Sequence, residues 1–135
     1  MCNLGCFGLV LFWGPTMGIL DWLKRNWADT DETGATVAPL DVPWPPAEGL
    51  ARIETGIRQL PRWEIVSVDR ASLTVKATRA TRLWGFVDDV TLRLEPQGSG
   101  SRVHGRSQSR VGKGDFGQNR RNLLQLFRAL GEKSA

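Results

Sequence analysis

The chain has 135 residues, 41% apolar and 24% charged, a balance that fits one soluble globular domain, so disorder is not the default reading. Its cysteines are Cys2 and Cys6 and its one histidine is His104, which excludes a disulfide framework, a cysteine nucleophile inside the folding region and a multi-histidine metal site. The formal charge of +4 is segregated: residues 1–69 hold five Lys/Arg against nine Asp/Glu, and residues 70–135 thirteen against five, a field that draws anions or acidic surfaces to one side.

Residues 1–16 run apolar through Leu9-Val10-Leu11-Phe12-Trp13, with no Lys or Arg to begin a secretory signal and too few apolar residues to span a bilayer. No hydrophobic stretch precedes Leu4-Gly5-Cys6, so a lipoprotein signal is not expected either. Met17 opens Gly18-Ile19-Leu20-Asp21-Trp22-Leu23 like a natural start, and residues 1–16 are therefore expected to lie upstream of the true start codon. The intact mass of native protein tests this: retention of Met1 overturns it and revives a membrane anchor. Residues 18–28 predict a short amphipathic helix, with Leu20, Leu23 and Trp27 at helical spacing, docked on the domain. A membrane contact through residues 9–27 is the alternative. From Asp29 to Glu48, Pro39, Pro43, Pro45 and Pro46 predict an extended linker with Trp44 pinned to the domain. Residues 17–46 thus form a helix and linker ahead of one α+β domain over 47–131, and residues 132–135 form a tail.

Within that domain, Leu50, Ile53, Ile57 and Leu60 recur at helical spacing over 47–60 until Pro61 stops the run. The period then changes to two. Residues 64–68 predict a strand and Asp69-Arg70-Ala71-Ser72 a tight turn. Leu73, Val75 and Ala77 mark a second strand, Val90, Leu92 and Leu94 a third, and residues 96–100 the next turn. A fourth strand sets Val103, Gly105, Ser107, Ser109 and Val111 against Arg102, His104, Arg106, Gln108 and Arg110. A last helix opens at Asp115, which has capping-box spacing to Gln118; it buries Leu123, Leu124, Phe127 and Leu130 and closes at Gly131. The fold expected is an α+β two-layer sandwich, a four-stranded antiparallel meander packed on one face by two helices, similar by analogy to helix-grip or TATA-binding-protein-like sheets.

The polar face of the fourth strand carries the sharpest chemistry. Arginines there pair with phosphate or carboxylate in bidentate geometry, and Lys113 and the first N–H groups of the last helix extend such an anion platform, although Asp115 opposes it. The simpler reading is cross-strand pairing of Asp89 with Arg106 or Arg110. The polar face shows no interleaved aromatics, so nucleic acid is not the expected partner. Asp88 and Asp89 are adjacent and point to opposite faces of a strand, His104 has no base or nucleophile beside it, and Ser107 and Ser109 alternate onto the apolar face as small packing residues. No catalytic residue, metal ligand or cofactor is assigned.

The stretches Trp84-Gly85-Phe86-Val87-Asp88-Asp89-Val90, Arg106-Ser107-Gln108-Ser109-Arg110-Val111-Gly112 and Asp115-Phe116-Gly117-Gln118-Asn119 resemble the bacterial and plastid domain-of-unknown-function family 1499, over about residues 47–130. The resemblance singles out Asp88, Asp89, Arg106, Ser107, Ser109, Arg110, Gly112, Asp115, Gly117 and Asn119 and implies no activity. These residues read equally as a binding site or as one structural cluster at the strand-to-helix corner, with Arg110 held by Asp89 or Asp115. The leading functional expectation is a non-enzymatic binding or interaction module that presents the arginine strand to an acidic protein or an anionic small ligand. A small-ligand or lipid carrier with a sheet–helix groove is the second, and an enzyme of unknown class the third. A sheet face filled by Leu50, Ile57, Phe127 and Leu130 would argue against the carrier. The expected location is the cytoplasm, with peripheral membrane association through residues 9–27 as the alternative.

Overall fold

The computed structural model describes residues 27–30, 37–81, 85–110 and 117–132. Two three-residue strands come first, β1 (Trp27–Asp29) and β2 (Leu40–Val42), followed by α1 (Pro46–Gln59). The strands β3 (Trp63–Asp69), β4 (Thr74–Ala80), β5 (Val87–Gln97) and β6 (Gly100–Ser109) follow, and α2 (Gln118–Glu132) is the last element. Helix α1 begins where proline is best tolerated, in its first turn, and Leu60 leaves the helical conformation one residue before Pro61.

The sheet has six antiparallel strands, which corrects the expected four-stranded meander. Strands β3 to β6 do form a meander, in the order β6-β5-β4-β3. The free side of β6 is also occupied: β1 pairs with residues 106–108 and β2 with residues 101–103. Both strands are too short to display an alternation, and each is hidden by a stronger local signal. Trp27 completes a helical spacing with Leu20 and Leu23, yet residues 27–29 are strand; residues 18–26 of that predicted helix lie outside the described residues. Pro39 and Pro43 bracket β2, a pattern that reads as linker but is also tolerated on an edge strand, where the missing N–H faces no partner. Gly131, expected to close the last helix, lies inside α2.

The two helices cover the same sheet face. Val75, Ala77, Val90, Leu92, Leu94 and Val103 from the sheet meet Leu50, Ile53 and Ile57 from α1 and Leu123, Leu126, Phe127 and Leu130 from α2, all buried. Each Val, Leu, Ile or Phe side chain so withdrawn from water contributes roughly 1.5–3 kcal/mol, and Ala77 less. Leu50, Ile57, Phe127 and Leu130 fill the centre of the sheet–helix interface, the arrangement that argues against an enclosed carrier cavity there. Helix α2 approaches β6 closely because Gly105 has no side chain: a Cβ at that position would lie 2.8 Å from Leu123 Cδ2.

At the far edge, β3 carries a bulge. Its pairing with β4 slips between Ile65 and Ser67, and the extra residue, Val66, is 63% exposed. No described helix is long and apolar enough to cross a membrane.

Candidate functional site

The residues singled out by sequence fall on both faces of the sheet rather than in one cluster. Adjacent strand residues point oppositely, so Asp88 turns inward and is 1% exposed, whereas Asp89 is exposed on the outer face. Ser107, Ser109 and Asn119 join Asp88 inside. Arg106 and Arg110 lie outside with Asp89. Lys113 and Asp115 lie outside the described residues, as do Gly112 and Gly114. Gly117, with φ of 77°, adopts the left-handed conformation that glycine takes without strain.

On the outer face, Arg102 and Arg106 of β6 and Arg110 just beyond it each meet a carboxylate. Arg102 contacts Asp41 at 2.7 Å, Arg106 contacts Asp29 at 2.8 Å, and Arg110 grips both oxygens of Asp89 at 2.9 and 2.8 Å. His104 sits 2.8 Å from Glu95. The hydrogen bonds from Arg102 and Arg110 hold Asp41 and Asp89 below the usual carboxylate range, and that from His104 does the same to Glu95. Strands β1 and β2 supply two of these carboxylates, so the strands hidden in the sequence also neutralise its most basic strand. Trp27 brings an aromatic ring to this face, where none was expected, and the Arg106 guanidinium lies 5.0 Å from its centroid.

The inner face holds a closed ring of hydrogen bonds. Asn122 Nδ2 donates to Asp88 Oδ2 at 2.7 Å and to Ser107 Oγ at 3.1 Å. Ser107 Oγ donates to Asn119 Oδ1 at 2.6 Å, Asn119 Nδ2 donates to Ser109 Oγ at 2.8 Å, and Ser109 Oγ donates to Asp88 Oδ1 at 2.8 Å. Every donation runs toward the Asp88 carboxylate, which takes both ends of the ring. Ser107 and Ser109 are therefore hydrogen-bonding members of the ring as well as small residues beneath α2. The side-chain amide of Asn119 bonds both serines of the ring.

Gln118 links the ring to an open groove. Its Nε2 donates to Asn122 Oδ1 at 2.8 Å, and its Oε1 accepts from Arg121 Nη2 at 3.2 Å. The groove, of about 590 Å³, runs between the end of β4 and the outer flank of α2. Leu60, Leu124 and Ala129 give it an apolar wall, and Arg79, Arg121 and Arg128 line it beside Gln118 and Gln125. Arg79 stands opposite Asp88 in the β4–β5 register, but both oxygens of that carboxylate are already engaged by the ring. Burial lowers the Arg79 guanidinium from its usual pKa; Arg62 and Arg121 add to the effect and Asp88 opposes it. Its buried Nε finds no hydrogen-bond acceptor among the described residues, nor does the hydroxyl of Thr81 two residues on. Among the described residues, the lining has three guanidinium groups and no carboxylate.

Sequence reasoning missed Arg79, Arg121, Asn122 and Arg128. The signal for Arg79 was present: it continues the inward alternation of Val75 and Ala77, an odd place for a cation. Asn122 likewise shares the helical face of Asn119 and Leu126. Among the described residues, no three His, Cys, Asp or Glu side chains are placed to hold a metal ion.

The fold is similar to that of a solved structure, Ara h 8.0201. The two align with a TM-score of 0.53 at 16% identity, over 71% of this chain and 93% of the other. The crystal structure of TTHA0849 from Thermus thermophilus matches at 16% identity over 72% of this chain and 94% of the other, with a TM-score of 0.37. A search of curated proteins gives no match. The chain belongs to the family described as protein of unknown function, DUF1499, which matches residues 23–130 and therefore includes both short strands.

Proposed function

We propose that this chain is a ligand-binding module whose occupant is a small organic anion seated in the groove between β4 and α2. One observation carries the reading: the groove concentrates Arg79, Arg121 and Arg128 against an apolar wall, with no carboxylate lining it among the described residues. Its volume of about 590 Å³ is that of a small-molecule site. Guanidinium groups hold oxyanions in bidentate geometry, and Leu60, Leu124 and Ala129 suit an attached apolar body. Its polar lining is guanidinium and carboxamide, groups that do not exchange protons near neutral pH, which favours holding an anion over transforming it.

The arginine strand itself is the weaker candidate for the same chemistry. An acidic partner docking there would have to displace Asp29, Asp41 and Asp89 from the arginines they already engage. Amide chemical-shift mapping with octyl phosphate and octanesulfonate separates the two surfaces. The expected result is perturbation of Arg79, Gln118, Arg121, Leu124 and Gln125, weakening as salt rises and lost in Arg121→Glu. Perturbations confined to residues 102–110 would move the site to β6, and no binding of either probe would end the groove reading.

A further inference from the structure

We infer that the anion taken by this groove is a phosphate monoester carrying an apolar body, in preference to any singly charged head group. The inference rests on the groove reading and deepens it by a charge argument. Arg79 from β4 and Arg121 and Arg128 from α2 line the site; Arg62, just ahead of β3, adds its field to that of Arg79. Among the described residues, the facing carboxylate is Asp88 on β5, the acceptor at both ends of the buried ring, and neither Arg79 nor Arg128 makes an ion pair. A monoanion cannot match both of these guanidinium charges, whereas a dianion comes closer to balancing them.

Hydrogen-bond supply points the same way. Arg79 Nε has no acceptor among the described residues, and Arg128 makes no ion pair among them. A phosphate monoester offers three terminal oxygens to such donors, and its ester bond leads the organic body away along one direction. That direction is open along Leu60, Leu124 and Ala129.

The same head group occurs on soluble phosphorylated compounds and on phosphatidic acid at a membrane surface. Calorimetric titration of the full chain with octyl phosphate and with octanesulfonate isolates the charge, because both heads are tetrahedral and the sulfonate stays a monoanion. At about pH 7.5 octyl phosphate is expected to bind about tenfold more tightly. At about pH 5, below the second phosphate pKa near 6, the preference is expected to fall toward unity while sulfonate binding stays flat. Equal affinity at both pH values would overturn the phosphate assignment and leave the groove reading standing; failure of both probes to bind would overturn both. Arg128→Gln, on the exposed flank of α2, is expected to reduce the phosphate preference without unfolding the chain, so the conclusion does not hang on the more buried Arg79. Sedimentation with phosphatidylcholine vesicles, with and without phosphatidic acid, separates the sources. Capture by the doped vesicles assigns a lipid head, and octyl phosphate binding without capture assigns a soluble monoester.

Discussion

The two faces of the sheet handle positive charge in opposite ways. On the outer face Arg102, Arg106 and Arg110 each touch a carboxylate, and the bonds there are exposed and self-contained. In the groove, Arg79, Arg121 and Arg128 gather with no carboxylate lining it among the described residues, and Asp88, which faces inward, is committed to a ring of amides and hydroxyls. The contrast teaches that counting basic residues along a sequence locates charge but does not say where it is balanced. The strand richest in arginine is the one whose arginines meet carboxylates.

The largest effect expected from breaking this contrast lies in the ring. Asp88→Ala strips acceptors from Ser109 and Asn122 in a buried setting and is expected to cost about 3 kcal/mol in urea unfolding, with the other ring members each costing less. Asp88→Asn keeps the shape but turns an acceptor into a donor facing Asn122, so it should recover little of the loss; full recovery would show that the carboxylate is not needed. Next is a change of opposite sign. Arg79→Met removes a partly buried cation whose Nε has no acceptor among the described residues, and it is expected to raise the urea midpoint while weakening anion binding. A destabilised Arg79→Met would mean that the guanidinium is structural.

Acid titration gives a smaller effect, to which the outer face contributes three carboxylates and the β3–β4 turn adds Asp69, held down by hydrogen bonds from Ser72 and Ala71. Asp41, Asp89 and Glu95 have folded pKa values below their usual 3.8, 3.8 and 4.5, so the folded state binds fewer protons than the unfolded chain in that range. Their contribution is complete above those usual values and is lost as pH falls through the lower folded ones. Stability measured against pH should therefore decline below about pH 4, and less steeply when Arg102 and Arg110 are both glutamine. Smallest of all, Arg110→Gln alone should leave both the urea midpoint at neutral pH and octyl phosphate affinity unchanged within error. A large loss of affinity in that variant would return the site to the arginine strand.

Much of the architecture was legible because its signals were long. The three-and-four spacing of Leu50, Ile53 and Ile57 marks α1, and Val90, Leu92 and Leu94 mark β5 by strict alternation. Strands β1 and β2 were illegible because three residues cannot show a period and their pairing with β6 is non-local. Asp88, Ser107, Ser109 and Asn119 were singled out, but distance along the chain could not say that they close a ring while Asp89, Arg106 and Arg110 turn away. That division follows from strand parity, which was readable for Asp88 and Asp89, combined with the docking of α2, which was not. The groove was the least legible part: it draws Leu60, Arg79 and the outer flank of α2 into one place, and only Arg79, a cation in an inward-facing slot, announced itself locally.

The bulge at Val66 has a consequence for how the molecule behaves in company. Among the described residues, no strand pairs with the side of β3 away from β4, and β6 at the other end is screened by β1 and β2. A straight seven-residue edge would invite a neighbouring chain to extend the sheet by one more strand. The slip between Ile65 and Ser67 breaks the repeat of donors and acceptors midway, so an incoming strand finds matched partners over only part of its length. Crowded molecules are thereby kept from zipping edge to edge, and the sheet stops growing where its own chain stops.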